Sequence, residues 1–407
     1  MMSSKRIVLP IFIYLLFFLS ANAGVGEEAI SNFLQQKGIV ENSVAVKILD
    51  LSTGDIIASH NSSVPLVPAS IMKSVTTAAL LQSVGPDYIY DTRVYIDGPI
   101  ELGYLRGNLV IEGSCDPTIN SDKEPYSPDF IEEICEVLAQ KKINRIEGSV
   151  IIDETNFQGV SQPETWAKED CVKYYGTGSH AFNFKDNSRG DNAVKDPAAS
   201  FIISLKKQLE AKGIDLEDND LHEGKRTKIF VHHSAPVDEI MRSCMMRSDN
   251  MFAESMLRTF SRMEGGDGST NHATSQEVKL WKSKKLPLDG VSIVDGSGLS
   301  RANRMTANFM TEMLSQMSQD AIYASFFPLA GQEGTLRKFL AGSSLDSYIA
   351  MKTGSMRGIQ CYAGYKLDED YVPTHVIVII MNDIPADRDS VKKAAENLLL
   401  TIFDNNK

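Results

Sequence analysis

The sequence predicts an α+β protein, in which an antiparallel sheet flanked by helices is interrupted by one inserted α/β domain. Alternating apolar and polar residues mark two strands early in the chain (44–61) and three consecutive strands near its end (348–383). Between them lies a long stretch of mixed strands and helices (91–234). With 407 residues, of which 43% are hydrophobic and 23% charged, the chain has room for two domains and a large core.

The first 23 residues have the three parts of a secretory signal peptide. Lys5 and Arg6 give a positive start, and 7–19 form an apolar run that is too short to span a bilayer. Ala21-Asn22-Ala23 then provides a small-x-small cleavage site. We therefore predict a signal peptide over 1–23, cleavage after Ala23 and an exported, periplasmic protein. A loose association with the membrane or cell wall is left open, and an uncleaved anchor is the alternative.

The net charge and the metal-ligating residues exclude two classes of function. A net charge of -12 argues against a nucleic-acid-binding protein, which would carry a basic stripe. The five cysteines and seven histidines show no zinc-ligand spacing, so the sequence predicts neither a metal nor a cofactor. Because the number of cysteines is odd, at least one of them does not pair within the chain.

Elements from both ends of the chain are predicted to form one domain, 24–90 together with 235–407. The first segment contributes a hairpin and a helix from about residue 69 to 85. The second contributes three strands and a closing amphipathic helix (389–403), which is expected to pack on the sheet rather than on a membrane surface. Residues 91–234 are predicted to form the inserted domain.

A single lysine interrupts the apolar helix that follows the hairpin. Between residues 56 and 86 there is no Asp, Glu or Arg, and Lys73 is the only lysine. Such a setting disfavours an ammonium, because burial favours the uncharged amine. Ser70 lies three residues earlier on the same helix face, and a lysine with a lowered pKa can remove the proton of a serine nucleophile. The pair has the form of a Ser-x-x-Lys motif, with a snorkelling lysine as the alternative.

Two further motifs follow along the chain. Ser248-Asp249-Asn250 stands at the predicted start of a helix, and Lys352-Thr353-Gly354 stands on a predicted strand. Each has an ordinary alternative, since a serine often caps a helix and a lysine often lies exposed on a strand. Ser-x-x-Lys, Ser-Asp-Asn and Lys-Thr-Gly, in this order, are however the three motifs of penicillin-binding proteins and serine β-lactamases.

The sequence resembles the class C low-molecular-mass penicillin-binding proteins, the D-alanyl-D-alanine carboxypeptidase/endopeptidase family, over essentially all of its length after the signal peptide. Further segments support the resemblance: GSCDPT (113–118), YYGTGSHAFNFKDN (174–187), DGSGLSRANRMT (295–306), LAGQEGTL (329–336) and MKTGSMRG (351–358). The resemblance implies a penicillin-binding/serine β-lactamase-like transpeptidase fold. The small third domain usual in this family is missing near 187–196, where we expect a short surface connection.

The resemblance assigns catalytic roles to the first two motifs. Ser70 is the expected nucleophile and Lys73 its base. Ser248 is expected to relay a proton to the leaving amine, and Asn250 to bind the amide of the acyl side chain. Whether Lys73 or Lys352 is the principal base stays open.

The third motif is expected to bind the substrate. Lys352 would supply positive charge and Thr353 a hydroxyl for a substrate carboxylate. Gly354 and Ser355 complete this substrate-binding segment. By analogy with the fold, the backbone N–H groups of Ser70 and Ser355 would form the oxyanion hole.

We therefore predict a serine D,D-peptidase that acts through an acyl-enzyme on Ser70. Its substrates would be peptidoglycan stem peptides, cleaved at the terminal D-Ala-D-Ala bond (carboxypeptidase), at D-Ala cross-links (endopeptidase) or at both. β-Lactam antibiotics would be covalent inhibitors. A serine β-lactamase and a catalytically silent peptidoglycan-binding protein are the alternatives. No nucleic-acid partner is expected, and the sequence does not predict the oligomeric state.

Overall fold

The computed structural model describes residues 24–123, 128–221, 224–385 and 387–404. The predicted signal peptide, 1–23, lies outside these ranges. The α-helices in them are, in chain order, α1 (24–34), α2 (Met72–Val84), α3 (Phe130–Gln140), α4 (Pro197–Ala211), α5 (Val237–Arg247), α6 (Asn250–Met263), α7 (Thr270–Ser283), α8 (Ala307–Met317), α9 (Ala321–Ala324) and α10 (Arg388–Asp404).

The same ranges also contain the strands. In chain order they are β1 (Val44–Asp50), β2 (Ile56–His60), β3 (Asp91–Ile96), β4 (Ile100–Glu101), β5 (Tyr104–Leu105), β6 (Leu109–Glu112), β7 (Arg145–Ile146), β8 (Val150–Asp153), β9 (Ser188–Arg189), β10 (Asn192–Ala193), β11 (Asp215–Leu216), β12 (Thr227–His233), β13 (Ile349–Met356), β14 (Ile359–Leu367) and β15 (Pro373–Met381).

The chain divides into two compact units. The first comprises the described residues of Met1–Ile71, Lys285–Ser292 and Asn303–Lys407, and the second those of Met72–Lys284 and Ile293–Ala302. These divisions differ from the predicted domain limits, because α2, α5, α6 and α7 pack against one another in the second unit. The assignment of domains by function, with limits at residues 90 and 235, stays a prediction.

A five-stranded antiparallel sheet in the order β13-β14-β15-β1-β2 forms the centre of the first unit. The β-branched and aliphatic residues of β15 suit its central position. Val44 of β1 pairs with Met381 of β15, so strands from the two ends of the chain lie side by side. This confirms the predicted antiparallel sheet, including the hairpin of β1 and β2.

Helices cover both faces of this sheet. On one face α1 and α10 share a core with the strands, which includes Phe33, Met351 and Leu399. On the other face α8 packs against β1 and β15, and the Tyr365 hydroxyl of β14 donates a hydrogen bond to the Leu314 carbonyl of α8 (2.9 Å). The closing helix α10 therefore packs on the sheet through its apolar face, as the sequence predicts.

The second unit has a sheet of order β12-β3-β6-β8, in which β6 and β8 run parallel and the other pairs antiparallel. Aliphatic side chains and a cluster of phenylalanines form its core: the ring centroids of Phe130 in α3 and Phe201 in α4 lie 5.6 Å apart, and Phe182 lies 4.9 Å from Phe201. A second, smaller sheet has the order β11-β7-β5-β4. In the stretch where the third domain was expected to be missing, β9 and β10 form a short hairpin, and α4 follows at Pro197.

Two observations bear on the environment of the chain. No helix in the described ranges combines the length and the apolar character that a membrane crossing requires. No disulfide joins the five cysteines: Cys115, Cys135, Cys171, Cys244 and Cys361.

Leu399 offers a test of how much α10 contributes to the first unit. The side chain is fully buried against the sheet, so Leu399→Ala should leave a cavity and lower the free energy of unfolding by about 2–5 kcal/mol. Urea denaturation followed by circular dichroism measures the change. Lys393→Ala is the control, because Lys393 is exposed on the same helix and its ion pair with Glu396 is worth about 0–1 kcal/mol. Equal effects of the two substitutions would contradict this packing.

Candidate active site

The predicted site residues form two sets, one in each compact unit. Ser70 and the strand segment 352–355 belong to the first unit, whereas Lys73, Ser248 and Asn250 belong to the second. In the first set, the main chain at Gly354 lies close to that of Ser70. In the second set, a hydrogen bond joins Lys73 to Asn250, and Ser248 lies in the tight turn before Asn250.

Ser70 lies in a 3₁₀ turn, Ala69–Ile71, that directly precedes α2 along the chain. Its side chain is partly exposed. Ala69 has a φ of 47°, in the left-handed region that residues other than glycine rarely adopt. Backbone strain of this kind persists only where the surrounding structure enforces it, and it is concentrated at functional sites.

Strand β13 passes so close to this turn that position 354 has no room for a side chain. A Cβ atom on Gly354 would lie 2.7 Å from the Pro68 carbonyl oxygen and 3.1 Å from the Ser70 nitrogen. Glycine allows this approach of two backbone segments. The amide of Ser70 is therefore a neighbour of the strand segment that continues into the exposed Ser355.

Lys352 and Thr353 follow one another on β13 and differ in their surroundings. Lys352 is fully buried, and its Nζ donates a hydrogen bond to the Thr353 carbonyl (2.8 Å). Because successive strand residues point to opposite faces, its side chain points away from Met351 and the core shared with α1 and α10. The Thr353 hydroxyl donates to Thr335 Oγ1 (2.8 Å). A cation and a hydroxyl on one strand can together bind a carboxylate.

Lys73 is fully buried in the first turn of α2. Its Nζ donates hydrogen bonds to Asn250 Oδ1 (2.6 Å) and to the Ser297 carbonyl oxygen (2.7 Å). Burial lowers the pKa of Lys73, although Cys244 and Asp249, among other neighbours, offset part of this shift. The snorkelling alternative is wrong, since the whole side chain is buried. An amine with a lowered pKa can accept a proton at a pH where an ordinary lysine cannot.

Ser248 and Asn250 flank the tight turn between α5 and α6. Ser248 has left-handed backbone angles (φ 59°, ψ 42°), which end α5 and let α6 begin at Asn250. Asp249 caps α6 by accepting a hydrogen bond from the Phe252 N–H (3.1 Å). Lys123 in turn forms an ion pair with Asp249 (2.5 Å). Lys123, which lies outside the Ser248-Asp249-Asn250 motif, thus stabilises the turn.

The amide of Asn250 is oriented from both of its ends. Its Oδ1 accepts from Lys73, and its Nδ2 donates to the Tyr175 carbonyl (2.8 Å). An amide nitrogen carries two hydrogens, so Nδ2 can donate one further hydrogen bond to a bound molecule.

A loop at 295–300 supplies the second acceptor for Lys73. Glu254 of α6 fixes this loop by accepting hydrogen bonds from the N–H groups of Gly296 (3.1 Å) and Ser297 (2.8 Å). Burial, and secondarily the charge of Asp295, raises the pKa of Glu254 to about 7. The Asp295 carboxylate also accepts hydrogen bonds from two later N–H groups of the loop (2.9 and 2.6 Å).

Sequence reasoning misses both Glu254 and the Ser297 carbonyl. Glu254 carries a signal, because it interrupts an apolar helix face in MFAESML, and a buried acid requires partners. The glycines and small polar residues of DGSGLS mark a loop. Every residue has a carbonyl group, however, so nothing in the sequence singles out the one on Ser297.

The chemistry available in the two sets is that of nucleophilic acyl transfer. A serine hydroxyl, an amine with a lowered pKa and an oriented amide are the groups that such a reaction uses. In the part of the chain that the structure describes, no cluster of three or more His, Cys, Asp or Glu side chains is arranged to bind a metal.

The close approach of β13 to the 3₁₀ turn can be tested at Gly354. Gly354→Ala should push the strand from the turn and lower the free energy of unfolding by about 1–3 kcal/mol, the usual cost of overpacking. Gly24→Ala is the control, because Gly24 is exposed, nothing lies within 4 Å of an added Cβ and no left-handed φ adds a backbone cost. Thermal unfolding of both variants measures the difference. An equal loss of stability in the two variants would contradict the close approach.

The chain matches one family model in two segments. The D-Ala-D-Ala carboxypeptidase 3 (S13) family matches residues 27–191 and 185–401. Carboxypeptidase DacB of Mycolicibacterium smegmatis is 26% identical over 371 residues, which cover 86% of this chain and 78% of that protein. D-alanyl-D-alanine carboxypeptidase DacB of Haemophilus influenzae is 22% identical over 408 residues, covering 82% of this chain and 84% of the relative.

Solved structures share the fold over most of the chain. Penicillin-binding protein 4 of Haemophilus influenzae has a TM-score of 0.81 at 19% sequence identity, covering 92% of this chain and 99% of that one. A predatory endopeptidase of Bdellovibrio bacteriovorus has a TM-score of 0.59 at 17% identity, covering 89% and 93%. The predicted penicillin-binding fold is thus confirmed. Since the family model extends from near the first described residue into the last turn of α10, the chain belongs to the D-Ala-D-Ala carboxypeptidase 3 (S13) family.

Proposed function

We propose that the chain hydrolyses D-Ala-D-Ala bonds of peptidoglycan stem peptides through an acyl-enzyme on Ser70. Membership of the S13 family makes it a serine D,D-peptidase. The observation that carries the assignment of residues is the buried amine of Lys73, three residues after Ser70, which has a lowered pKa and is aligned by two hydrogen bonds. The conformationally constrained backbone at Ala69 supports Ser70 as the nucleophile.

In the acylation step, Lys73 takes the proton of the Ser70 hydroxyl while Oγ attacks the carbonyl carbon of the penultimate D-Ala. The backbone N–H groups of Ser70 and Ser355 stabilise the negative charge that forms on the carbonyl oxygen. The C–N bond then breaks, and Ser248 relays a proton to the departing amine of the last D-Ala. Water hydrolyses the ester, which returns the proton to Ser70 and releases the shortened peptide.

Substrate binding in this proposal uses polar groups of the second and third motifs. Lys352 and Thr353 bind the terminal carboxylate, and Gly354 and Ser355 complete the same substrate-binding segment of β13. Asn250 donates the remaining hydrogen of Nδ2 to the amide carbonyl of the acyl side chain. We assign Lys73 as the principal base, because its bond to Asn250 couples it to the second motif.

β-Lactams are proposed as covalent inhibitors of this site. Penicillin-binding protein 4 of Haemophilus influenzae has been solved with a β-lactam, and the Bdellovibrio endopeptidase in a form acylated by penicillin G. A β-lactam amide presents a carbonyl and a nearby carboxylate to the same groups. We further propose export to the periplasm, with removal of residues 1–23, because the N-terminal segment has the parts of a signal peptide.

Ser70→Ala should abolish covalent labelling by penicillin, because only the nucleophilic oxygen is removed. Intact-protein mass spectrometry after incubation with penicillin measures the labelling. Ser74→Ala is the matched control: Ser74 is a buried serine of α2, and its loss should leave labelling at the wild-type level. Stoichiometric labelling of Ser70→Ala would show that another residue is acylated.

The same two variants test the natural reaction. Wild-type protein and Ser74→Ala should remove one alanine from a purified pentapeptide muropeptide, and mass spectrometry of cross-linked dimers reports endopeptidase cleavage. Ser70→Ala should do neither. Penicillin labelling of wild-type protein without either reaction would refute the peptidase assignment, and rapid turnover of penicillin would favour a β-lactamase.

Lys73→Arg should slow acylation by penicillin by at least about a hundredfold, the lower end of general-base contributions. A guanidinium keeps its proton and cannot serve as the base. In the wild type, acylation should rise with pH through the pKa of Lys73, below the range of an ordinary lysine. Lys47→Arg is the control, because Lys47 of β1 is also buried but pairs with Glu312 of α8 in the first unit. Near-wild-type acylation of Lys73→Arg would exclude Lys73 as the base.

A further inference from the structure

The position of the Ser297 carbonyl depends on one side chain of α6. Glu254 Oε1 accepts from both Gly296 N–H and Ser297 N–H (3.1 and 2.8 Å), and the carbonyl of the same Ser297 accepts from Lys73. Glu254 is 1% exposed. The Glu254 carboxyl group is therefore linked to Lys73 through the main chain of one residue, Ser297.

The loop lies directly on α6 at this point. A Cβ atom on Gly296 would be 2.9 Å from the Leu257 Cβ and 3.0 Å from the Ala253 carbonyl oxygen. Thr76 of α2 provides a second attachment by donating a hydrogen bond to the Gly296 carbonyl (2.8 Å). The Gly296 carbonyl and the Ser297 N–H belong to one planar peptide group, so the hydrogen bonds of Thr76 and Glu254 hold this group from both sides.

Titratable groups of several neighbouring elements act on Lys73 and Glu254. Cys244 of α5, Asp249 of the turn between α5 and α6, and Asp295 of the loop act on Lys73 besides Glu254 itself. Asp295 also acts on Glu254, and Glu254 acts on Glu277 of α7. Glu277 is not among the main influences on Lys73, although it is equally buried.

We propose that Glu254 is a positioning residue for the general base: it holds the main chain of 296–297 so that the Ser297 carbonyl aligns the Lys73 amine, and its charge opposes the loss of the proton from Lys73. The inference rests on the proposed role of Lys73. Its two parts can be separated, because Thr76 supports the same loop without carrying a charge.

The test is the pH profile of acylation of the full chain by a fluorescent penicillin. Glu254→Gln keeps an acceptor oxygen for the loop but removes the charge, so Lys73 should lose its proton more readily. Acylation should then reach half its plateau at a lower pH than in the wild type. A profile that superimposes on the wild type would overturn the proposal.

Thr76→Val separates the effect of the loop position from the effect of the Glu254 charge, and it can be measured even if Glu254→Gln does not fold. Thr76→Val removes one attachment of the loop at nearly constant volume, and the plateau rate should fall by roughly two- to tenfold, the equivalent of one hydrogen bond, with an unchanged pH midpoint. An unchanged plateau would overturn the positioning role.

Glu277→Gln is the control for replacing a buried carboxyl group by an amide, because Glu277 is a fully buried acid, with a pKa that burial raises to about 8, and no hydrogen bond reaches it from the loop. Its profile should match the wild type. A shift equal to that of Glu254→Gln would mean that any buried acid has this effect and would overturn the inference. Absence of acylation in the wild type, in contrast, would refute the proposed function itself.

Discussion

Burial of the Lys73 amine is the constraint on which the geometry of the second unit's site residues depends. An amine removed from water requires hydrogen-bond acceptors from the protein, because an unsatisfied buried polar group costs several kcal/mol by order of magnitude. Two such acceptors are the Asn250 side chain and the Ser297 carbonyl. Each acceptor needs its own support. The left-handed turn at Ser248 places the first, and Glu254 fixes the loop that carries the second.

The first unit solves a different problem, which is to bring two backbone segments together. The absence of a side chain at Gly354 allows β13 to approach the turn of Ser70, in which Ala69 has a left-handed φ. The strand can do this reliably because it belongs to a five-stranded sheet covered on both faces, with Met351 packed in the core next to Lys352. The rigid sheet thus positions polar groups on a strand rather than on a mobile loop.

Much of the fold follows from local patterns. Alternation in 44–61 and 374–383, the turn at Gly54 and the amphipathic face of α10 predict elements that the structure contains, because these signals lie within short windows of sequence. The elements predicted for the second and third motifs are also present, since α6 begins at Asn250 and Lys352 lies on β13. The division into compact units and the roles of Glu254 and the Ser297 carbonyl depend on packing between distant segments. Such long-range contacts leave no periodicity in the sequence, and the signal peptide remains a prediction.

The pairing of β1 with β15 has a consequence for the order in which the chain can fold. During synthesis the hairpin of β1 and β2 emerges first, but β15, the other neighbour of β1, emerges only after the whole second unit. Until then β1 presents an unpaired edge, which is a hazard for aggregation. Residues 72–284 need not wait, since the sheets of the second unit pair among themselves. Ser70 would therefore gain its neighbouring strand β13 only after the second unit has been synthesised, and a chain that ends before β13 would lack this close approach.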